Sequence, residues 1–414
     1  MNKYLLRPCP ICNALRGDVL HTQKFKLPED SPLPDEYDIV SCLDCGFSFA
    51  DTAVKQQSYD AYYKLLSKYE DKNTSSGGGY NELDSKRIDV TVEELARICP
   101  NKESTIIDIG CASGGILKKL KERGYIALTG IDPSKKCVDD VKNNGINCKQ
   151  GSIFEANKLI EQKFDCVILS HVIEHIYDLK RAFTVCSKLL NDNGQLYVEV
   201  PNAASYADYY VVPFYYFDCE HINHFDETSL INMGEATGFS KKHTGHKIVQ
   251  VSENQQYPAL FVVFEKSDNK EFGTIFVERE RERERERKRE RERERVSVSA
   301  KESILRYVEQ SIKNSQIDIL SRLAKTQEEI YVFGAGNYTL RLLASTDLSR
   351  CNIKAFIDND TNKQGRVLEN RPIVTPEILQ QFIGKVIVCS ALFAKEIVEQ
   401  ISLINPDIQS VVVR

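Results

Sequence analysis

One short stretch constrains the fold more than any other: an apolar segment that runs directly into a glycine-rich turn. Residues 105–109 read Thr-Ile-Ile-Asp-Ile, and Gly110, Ser113 and the glycine pair 114–115 follow before the amphipathic stretch ILKKLKERG. The pattern predicts a buried strand, a turn whose backbone can approach a ligand closely, and a helix. A second strand-like segment ends at Asp132, where a carboxylate can accept ribose hydroxyls in a doubly wound sheet. We therefore expect a nucleotide-binding α/β domain.

Strand-like and helix-like segments alternate in two separate parts of the chain. In the first part, FDCVILS at 164–170 and GQLYVEV at 194–200 continue the set that begins at residue 105. The second part contains EIYVFGAG at 329–336, IKAFIDND at 353–360 and KVIVCSA at 385–391. Such alternation predicts parallel sheets covered by helices, so the fold class is α/β in both parts.

Two changes in composition divide the chain. Residues 278–295 alternate Glu and Arg almost strictly, with 8 acidic residues, 10 basic residues and nothing apolar. Such a segment cannot bury a core, and it is interpreted either as a solvated insertion without function or as an interaction element. The loop-like stretch KNTSSGGGYN at 72–81 marks a softer boundary. The predicted segments are 1–75, 76–270, a low-complexity linker at 271–300, and 301–414.

Four of the 13 cysteines have the spacing of metal ligands. Cys9 and Cys12 form one CxxC pair, and Cys42 and Cys45 form a second. Each pair can lie on a tight turn, and two such turns complete a tetrahedral sulfur site for structural zinc. Metal binding can supply folding free energy that so small a segment lacks. Residues 1–75 are therefore predicted to be a zinc-binding domain, the alternative being free thiols at accidental spacing.

Five blocks between residues 108 and 202 resemble a class I S-adenosylmethionine (SAM)-dependent methyltransferase. They are DIGCASGG, GID, GSIF at 151–154, FDCVILSHVIEHIYD at 164–178 and LLNDNGQLYVEVPN at 189–202. The resemblance implies a Rossmann-like methyltransferase core that binds SAM. It assigns these residues to the cofactor: Asp108, Gly110 and Ser113 at the methionine end, Asp132 at the ribose, and Ser152 and Ile153 at the adenine. His171 is expected in a loop beside the cofactor.

The segment His171-Val-Ile-Glu174-His175 also fits the H-x-x-E-H pattern of a metalloprotease. That chemistry needs both histidines on one helical face, with the glutamate as the base. Here His171 directly follows a predicted strand, at the edge of the sheet where ligands bind. The loop beside SAM is therefore the favoured interpretation.

A second loop, YYFDCEHINHF at 215–225, is dense in groups that can move a proton. Methyl transfer to a hydroxyl or a carbon needs a base near the acceptor, and histidine is suited to that role near neutral pH. A neighbouring carboxylate can orient the imidazole or raise its pKa. We therefore predict His221, helped by Glu220, as the base, and His224 as a second candidate.

This loop resembles the Glu-His loop of sugar methyltransferases, and so does the three-part layout of zinc segment, methyltransferase core and C-terminal Rossmann-like segment. The resemblance implies methylation of a nucleotide-linked deoxysugar or a polysaccharide precursor. Members that methylate carbon carry a tyrosine two residues before the Glu-His pair, whereas Asp218 stands there in this chain. Both C- and O-methyl transfer therefore stay open.

The C-terminal segment has the pattern of a mononucleotide crevice. Gly334 and Gly336 follow a strand, and Asp358 and Asp360 end the next one. Thr339 replaces the third glycine of the dinucleotide fingerprint, so NAD binding is not predicted. By the resemblance, this smaller domain helps to hold a nucleotide-sugar, and the alternative is a scaffold that packs on the core.

Composition limits the other functions. A net charge of −5 over 414 residues disfavours a broadly basic nucleic-acid binder. No apolar run approaches the ~20 residues that span a bilayer, and the N-terminus lacks the features of a signal peptide. We predict a cytoplasmic enzyme with SAM, structural zinc, a sugar substrate, no nucleic-acid partner and no membrane span. The rival hypotheses are an RNA methyltransferase with a zinc module and a non-catalytic zinc-containing scaffold.

Overall fold

The computed structural model describes residues 2–65, 78–252, 255–267, 299–315 and 317–414. These residues form sheets of five, seven and six strands. The predicted α/β fold class is confirmed: the middle part has a Rossmann-like seven-stranded sheet, and the C-terminal part has a second, smaller Rossmann-like sheet. The Glu/Arg run at 278–295 lies outside the described residues. Every helix in the described ranges is too short or too polar to cross a membrane.

The N-terminal lobe, residues 2–65, is built on the five-stranded antiparallel sheet. Its elements are β1 (Asn2–Tyr4), β2 (Arg16–Lys24), β3 (Glu36–Cys42), β4 (Ser48–Asp51) and helix α1 (Gln56–Leu65). The fifth strand of the sheet is the two-residue segment Asn223–His224, which pairs antiparallel with β4. The predicted catalytic loop therefore contributes an edge strand to the N-terminal lobe.

The seven-stranded sheet forms the core of the middle part. Its seven strands are β5 (Ile106–Ile109), β6 (Leu128–Asp132), β7 (Asn147–Gln150), β8 (Phe164–Ser170), β9 (Leu190–Pro201), β11 (Phe239–Ser252) and β12 (Gln255–Lys266). Its helices are α2 (Glu82–Ile98), α3 (Gly115–Glu122), α4 (Lys135–Asn143), α5 (Ala156–Leu159), α6 (Leu179–Leu189) and α7 (Glu227–Glu235), and its 3₁₀ turns are Ile153–Glu155, Ile173–His175 and Ala203–Ser205. The label β10 is given to the edge strand of the N-terminal lobe, Asn223–His224.

The strand order of this sheet creates a ligand crevice. The order is β11-β12-β9-β8-β5-β6-β7, with β5 to β9 parallel and β12 antiparallel to both of its neighbours. The direction of winding reverses between β5 and β8. In open α/β sheets, ligands bind beyond the carboxyl ends of the strands at such a reversal.

Two glycines after β5 have no tolerated substitute in this fold. Gly110 and Gly114 have φ of +75° and +81°, which is left-handed backbone. A Cβ at Gly110 would lie 2.7 Å from Val172 Cγ2, and one at Gly114 would lie 2.7 Å from Val141 Cγ2. Glycine is therefore required both for the conformation and for the close approach of chain segments.

The C-terminal part carries the six-stranded sheet, in the order β15-β16-β14-β13-β17-β18 and parallel except for β15. Its elements are α8 (Ala300–Asn314), α9 (Asp318–Thr326), β13 (Ile330–Phe333), α10 (Asn337–Ser345), β14 (Ile353–Ile357), β15 (Val367–Leu368), β16 (Arg371–Val374), β17 (Lys385–Val388), α11 (Ala394–Ile404) and β18 (Gln409–Val412), with 3₁₀ turns Asp347–Arg350 and Pro376–Gln381.

Helix α8 packs against the segment that leads into the predicted catalytic loop. The hydroxyl of Tyr307 donates to Val212 O at 3.3 Å and accepts from the Tyr216 backbone N–H at 3.3 Å. Ser311 Oγ accepts from the Phe214 backbone N–H at 3.1 Å. These bonds satisfy buried backbone groups of an irregular segment, so α8 fixes the approach to that loop.

Gly130 in β6 tests how tightly the sheet packs behind the glycine turn. A Cβ there would lie 2.8 Å from Cys111 Sγ and 3.1 Å from Cys148 Sγ. We expect Gly130→Ala to lower the free energy of unfolding by about 1–3 kcal/mol, because overpacking a core displaces its neighbours. Urea unfolding measures this. The control is Gly336→Ala, where a Cβ meets nothing within 4 Å and the change should stay below about 1 kcal/mol. Equal stabilities of both variants would contradict the packing argument.

Candidate active site

A cavity of about 810 Å³ opens at the carboxyl ends of β5, β6 and β8. This volume lies in the usual range for small-molecule sites. The predicted site residues that line it are Asp108, Gly110, Asp132, Ser152, Ile153, His171 and His221. The structure therefore brings the predicted cofactor residues and one predicted catalytic histidine to the same space.

Asp132 connects the turn after β5 with the turn after β6, at the predicted cofactor end of the cavity. Its Oδ2 accepts the Ala112 backbone N–H at 2.9 Å, and its Oδ1 accepts the Ser134 backbone N–H at 2.8 Å. Ala112 has φ +47°, so this bond also holds a strained turn residue. Each carboxylate oxygen has a second acceptor position, and ribose hydroxyls can occupy those positions.

Asp108 is a buried carboxyl beside Asp132. It is only 3% exposed. Burial, together with the negative charge of Asp132, raises the pKa of Asp108 to about 7. A cation that enters the cavity beside it would favour the ionised form.

His171 is a charged imidazole held between two glutamates. It follows β8 with φ +55°, and its Nδ1 lies 3.2 Å from Glu174 Oε1 while its Nε2 lies 3.4 Å from Glu199 Oε1. Burial disfavours the charged ring, but the two carboxylates outweigh it and raise the pKa of His171 to about 9. His171 is therefore protonated at neutral pH and cannot accept a proton there.

Glu199, one of the two glutamates that contact His171, forms hydrogen bonds with three further side chains inside the sheet. Its Oε2 accepts from Lys247 Nζ at 2.7 Å, from the Tyr197 hydroxyl at 2.5 Å and from Thr91 Oγ1 at 3.2 Å. Although Glu199 is fully buried, the charges of Lys247 and His171 hold its pKa well below the usual range. This network joins β9, β11 and α2, and no local pattern in the sequence predicts it.

A histidine pair and a glutamate form a polar wall of the cavity, away from the turns that carry the predicted cofactor residues. The rings of His175 and His221 are 4.6 Å apart in an edge-on arrangement. His175 Nδ1 lies 3.1 Å from Glu220 O, and because a carbonyl only accepts, this nitrogen carries the proton. Glu174 lines the cavity with His175, and its Oε2 is buried with no hydrogen-bond partner in the described ranges.

Tyrosines and one C-terminal residue complete the wall. Tyr63, Tyr215, Tyr216 and Tyr257 line the cavity, and so does Leu392, which follows β17 of the C-terminal sheet. The cavity is therefore bounded by all three parts of the chain. Aromatic composition around residue 215 was a usable sequence signal for this wall, whereas nothing local pointed to Tyr63 or Leu392.

Three predicted site residues do not line the cavity. Ser113 is buried with its hydroxyl 4.0 Å from Cys137 Sγ. Glu220 is 1% exposed and contacts His175 through its backbone carbonyl. His224 is buried in β10 with its Nδ1 3.4 Å from the Tyr206 hydroxyl, and burial lowers the pKa of His224 to about 3. His224 is thus a neutral ring enclosed by the fold.

The metalloprotease alternative does not fit the geometry. The segment from His171 to His175 is a strand end and a 3₁₀ turn, so its two histidines do not share one helical face. Within the described parts of the chain, only the four cysteines bring three or more metal-ligand atoms together.

Cys9, Cys12, Cys42 and Cys45 converge at the end of the N-terminal lobe. Their four Sγ atoms all lie within 4.8 Å of one another, with 3.5 Å between Cys9 and Cys45 and also between Cys12 and Cys42. Four thiolates about 2.3 Å from a tetrahedral zinc are about 3.8 Å apart. The donor set therefore fits a structural zinc ion.

The backbone around the cysteines repeats one turn twice. Asn13 N–H donates to Cys9 O at 2.9 Å, and Gly46 N–H donates to Cys42 O at 3.0 Å. Asn13 and Gly46 both have left-handed backbone, with φ of +63° and +76°. Asn and Gly are the residues that adopt this conformation most readily.

Comparison with known proteins identifies two domains. Residues 80–244 match a family model described as Methyltransferase domain, and residues 326–412 match one described as C2185-like, N-terminal. The prediction of a class I SAM-dependent methyltransferase domain is confirmed for residues 80–244.

Curated relatives cover only part of the chain. The human protein Ubiquinone biosynthesis O-methyltransferase, mitochondrial, is 26% identical over 175 residues, which are 38% of this chain and 46% of that protein. Ubiquinone biosynthesis O-methyltransferase from Rhizobium etli is 30% identical over 103 residues, 23% of this chain and 41% of that protein. The chain thus spans less than half the length of these relatives. A solved structure, Burkholderia thailandensis 1,6-didemethyltoxoflavin-N1-methyltransferase, is 14% identical with a TM-score of 0.40, covering 55% of this chain and 98% of that one.

The position of Asp108 makes SAM affinity depend on pH. If Asp108 lies at the methionine end of SAM as predicted, its carboxylate form would attract the ammonium group, and burial with the charge of Asp132 raises the pKa of Asp108 to about 7. Binding should therefore be strongest above pH 7 and weaken roughly tenfold per unit as the pH falls below it. Calorimetric titration between pH 5.5 and 7.5 measures this, and Asp108→Asn should bind weakly and without pH dependence. A wild-type affinity that stays constant over this range would contradict the assignment.

Proposed function

We propose that the chain transfers the methyl group of SAM to an oxygen or a carbon of a sugar, either a nucleotide-linked deoxysugar or a polysaccharide precursor. One observation carries the proposal: a single cavity joins the cofactor end at Asp108 and Asp132 to the polar wall of Glu174, His175 and His221. When bound, SAM supplies an electrophilic methyl group on a sulfonium. The residues of the chain hold the acceptor, exclude water and remove its proton.

The environments of the cavity residues support His221 as the base. His171 is protonated at neutral pH, and His224 is enclosed in β10. His221 lines the cavity against His175, whose proton is directed to Glu220 O. Glu174 Oε2 has no donor among the described residues, so it can accept a hydrogen bond from a hydroxyl of the methyl acceptor. Most of the rate enhancement would come from alignment of acceptor, methyl and sulfur.

The shape of the cavity supports a polar ring as acceptor. Tyrosine rings form its apolar wall, and carboxylate and imidazole groups lie among them. Leu392 extends the cavity to the C-terminal sheet, which is where the sequence resemblance expects part of a nucleotide-sugar. The acceptor would therefore lie between the methyltransferase core and the C-terminal part.

A phenolic hydroxyl is the second candidate acceptor. Tyr215, Tyr216 and Tyr257 offer ring faces and edges on which an aromatic acceptor can pack. The curated relatives are named as ubiquinone biosynthesis O-methyltransferases. The same base and the same cavity would serve this reaction. An assay with both sugar and phenolic acceptors is therefore needed to distinguish the two candidate functions.

We also propose that the four cysteines hold one structural zinc ion per chain. Elemental analysis of protein purified without chelator should find one zinc per chain, and Cys42→Ser should lose it. Because metal binding contributes folding free energy to a small lobe, the variant should also unfold at lower temperature. A matched control is Cys186→Ser, a buried cysteine outside the cluster, which should keep its zinc. Full zinc occupancy in Cys42→Ser would contradict the proposal.

Methyl transfer can be tested with labelled SAM and a panel of acceptors: a nucleotide-linked keto-deoxysugar, nucleotide-linked sugars, a catechol and a structured RNA. Label should enter a sugar acceptor. His221→Gln should lower turnover by about 10²–10⁴ and change SAM affinity by less than about twofold. The control is His243→Gln, a half-exposed side chain on β11 outside the cavity, which should keep full turnover.

The other outcomes of this assay identify the alternatives. Labelling of the catechol alone would favour the phenolic acceptor, and labelling of RNA alone would favour an RNA methyltransferase. A folded protein that fails to bind SAM by calorimetry would refute the enzyme and favour a scaffold. Full turnover in His221→Gln would refute the proposed base.

A further inference from the structure

Arg7 is a buried cation of the N-terminal lobe that donates to backbone carbonyls of distant loops. It is 1% exposed and stands two residues before Cys9. Its guanidinium donates to Tyr177 O at 2.7 Å, to Ile176 O at 3.5 Å and to Ile222 O at 3.3 Å. No carboxylate in the described residues forms an ion pair with it. A buried charge is costly unless its donors are used, so these contacts are its main compensation.

The three carbonyls belong to the two loops that form the polar wall of the cavity. We call residues 171–178 the first cavity loop and residues 215–225 the second cavity loop. The first carries Glu174 and His175, and the second carries His221. The guanidinium also lies over the ring of Tyr177, 4.4 Å from its centroid, which adds a cation–π contact.

The two loops are tied to each other at the same place. Asn223 Nδ2 donates to Ile173 O and to Ile176 O, both at 2.8 Å. The Ile222 backbone N–H donates to Glu174 O at 2.9 Å. Ile176 O and Ile222 O therefore accept from Arg7 inside this junction. A displacement of Arg7 would be transmitted to Glu174 and His221 over a few bonds.

The backbone of Arg7 is fixed within the N-terminal lobe. Its N–H donates to Asp51 Oδ1 at 2.8 Å, and Asp51 Oδ2 pairs with Lys3 Nζ at 2.8 Å. On the other side, the Cys9 N–H donates to Ala14 O at 2.9 Å within the cysteine turn. The direction in which Arg7 projects thus depends on the turn that the four cysteines organise.

We infer that Arg7 is a positioning residue for the acceptor side of the cavity, and that metal at the four cysteines orders that side through Arg7. This inference rests on the proposed function and adds a role for the N-terminal lobe. The N-terminal lobe positions the two cavity loops on the acceptor side, whereas the seven-stranded sheet positions the residues predicted to bind SAM. Loss of Arg7, or of the metal, should loosen the two cavity loops and leave the strand that carries Asp108 unchanged.

The test measures amide hydrogen exchange in the full-length, zinc-loaded protein, with Arg7→Met and Arg7→Lys. Exchange at 173–177 and 219–224 should accelerate about tenfold or more in Arg7→Met, because charge-assisted bonds to these carbonyls are lost. Arg7→Lys should be intermediate, since lysine keeps the charge but not the planar fork. Exchange at 106–109, zinc content and affinity for S-adenosylhomocysteine should stay within about twofold of wild type.

The matched control is Lys24→Met. Lys24 is an exposed cation of the same lobe that pairs with Glu36 and, within the described residues, has no hydrogen bond or ion pair with Arg7 or Asp51. This variant should leave exchange of the cavity loops within about twofold of wild type. Wild-type protein stripped of metal by a chelator should show the Arg7→Met pattern. With a sugar acceptor, Arg7→Lys should lower kcat and leave the KM for SAM unchanged.

Unchanged exchange in both cavity loops of Arg7→Met would overturn the inference. If Arg7→Met accelerates exchange throughout the chain, Arg7→Lys decides: acceleration confined to the two loops supports the inference, and any other pattern overturns it. Chelation that affects only residues 2–51 would overturn the role of the metal. Failure of wild type to bind SAM refutes the proposed function alone, because the exchange comparison needs neither SAM nor acceptor.

Discussion

The carboxylate of Glu199 is the interaction on which the site depends. It is fully buried at the end of β9, and it joins Lys247 of β11, Thr91 of α2 and His171 after β8. An isolated buried charge would be strongly unfavourable, and removing one partner of such a group leaves the other uncompensated. The network therefore connects strands β9 and β11 with helix α2 and holds an imidazolium at the cavity wall. The positive φ of His171 is tolerated because these contacts fix it.

The second constraint is the edge strand β10, which couples two parts of the chain. Asn223–His224 pairs with β4, and this pairing covers an edge that would otherwise expose unpaired backbone groups. His221 stands two residues before the strand, so its position follows from the N-terminal lobe. The four cysteine sulfurs converge in this lobe, and its buried apolar side chains belong to clusters that it shares with the rest of the chain. The cysteine cluster and the polar wall of the cavity are therefore parts of one structural unit, although His224 and its partner Ser48 lie far apart in the sequence.

Local patterns in the sequence predicted the features that depend on local physics. Strands β5 and β6, the turn at Gly110 and Gly114, and the two cysteine turns all follow from apolar runs and positive-φ residues within about ten positions. The sequence also marked the second cavity loop by its density of polar and aromatic groups. It ranked His221 above His224 but kept His224 as a second candidate, because the enclosure of His224 depends on the long-range pairing of β10 with β4. Lys247, Arg7 and Leu392 were not predicted to belong to the site for the same reason, because their partners lie on distant elements.

Three histidines near one cavity show how environment assigns chemical roles. Two carboxylates raise the pKa of His171 to about 9, whereas burial without a charged partner lowers the pKa of His224 to about 3. A protonated His171 has no lone pair to accept a proton, and His224 is a weak base enclosed by the fold, so neither is suited to be the general base. His221 faces the cavity and packs on His175, whose own proton is committed to a carbonyl. The fold thus uses one histidine as a fixed cation and one as a neutral packing group, and it leaves His221 where an acceptor can reach it.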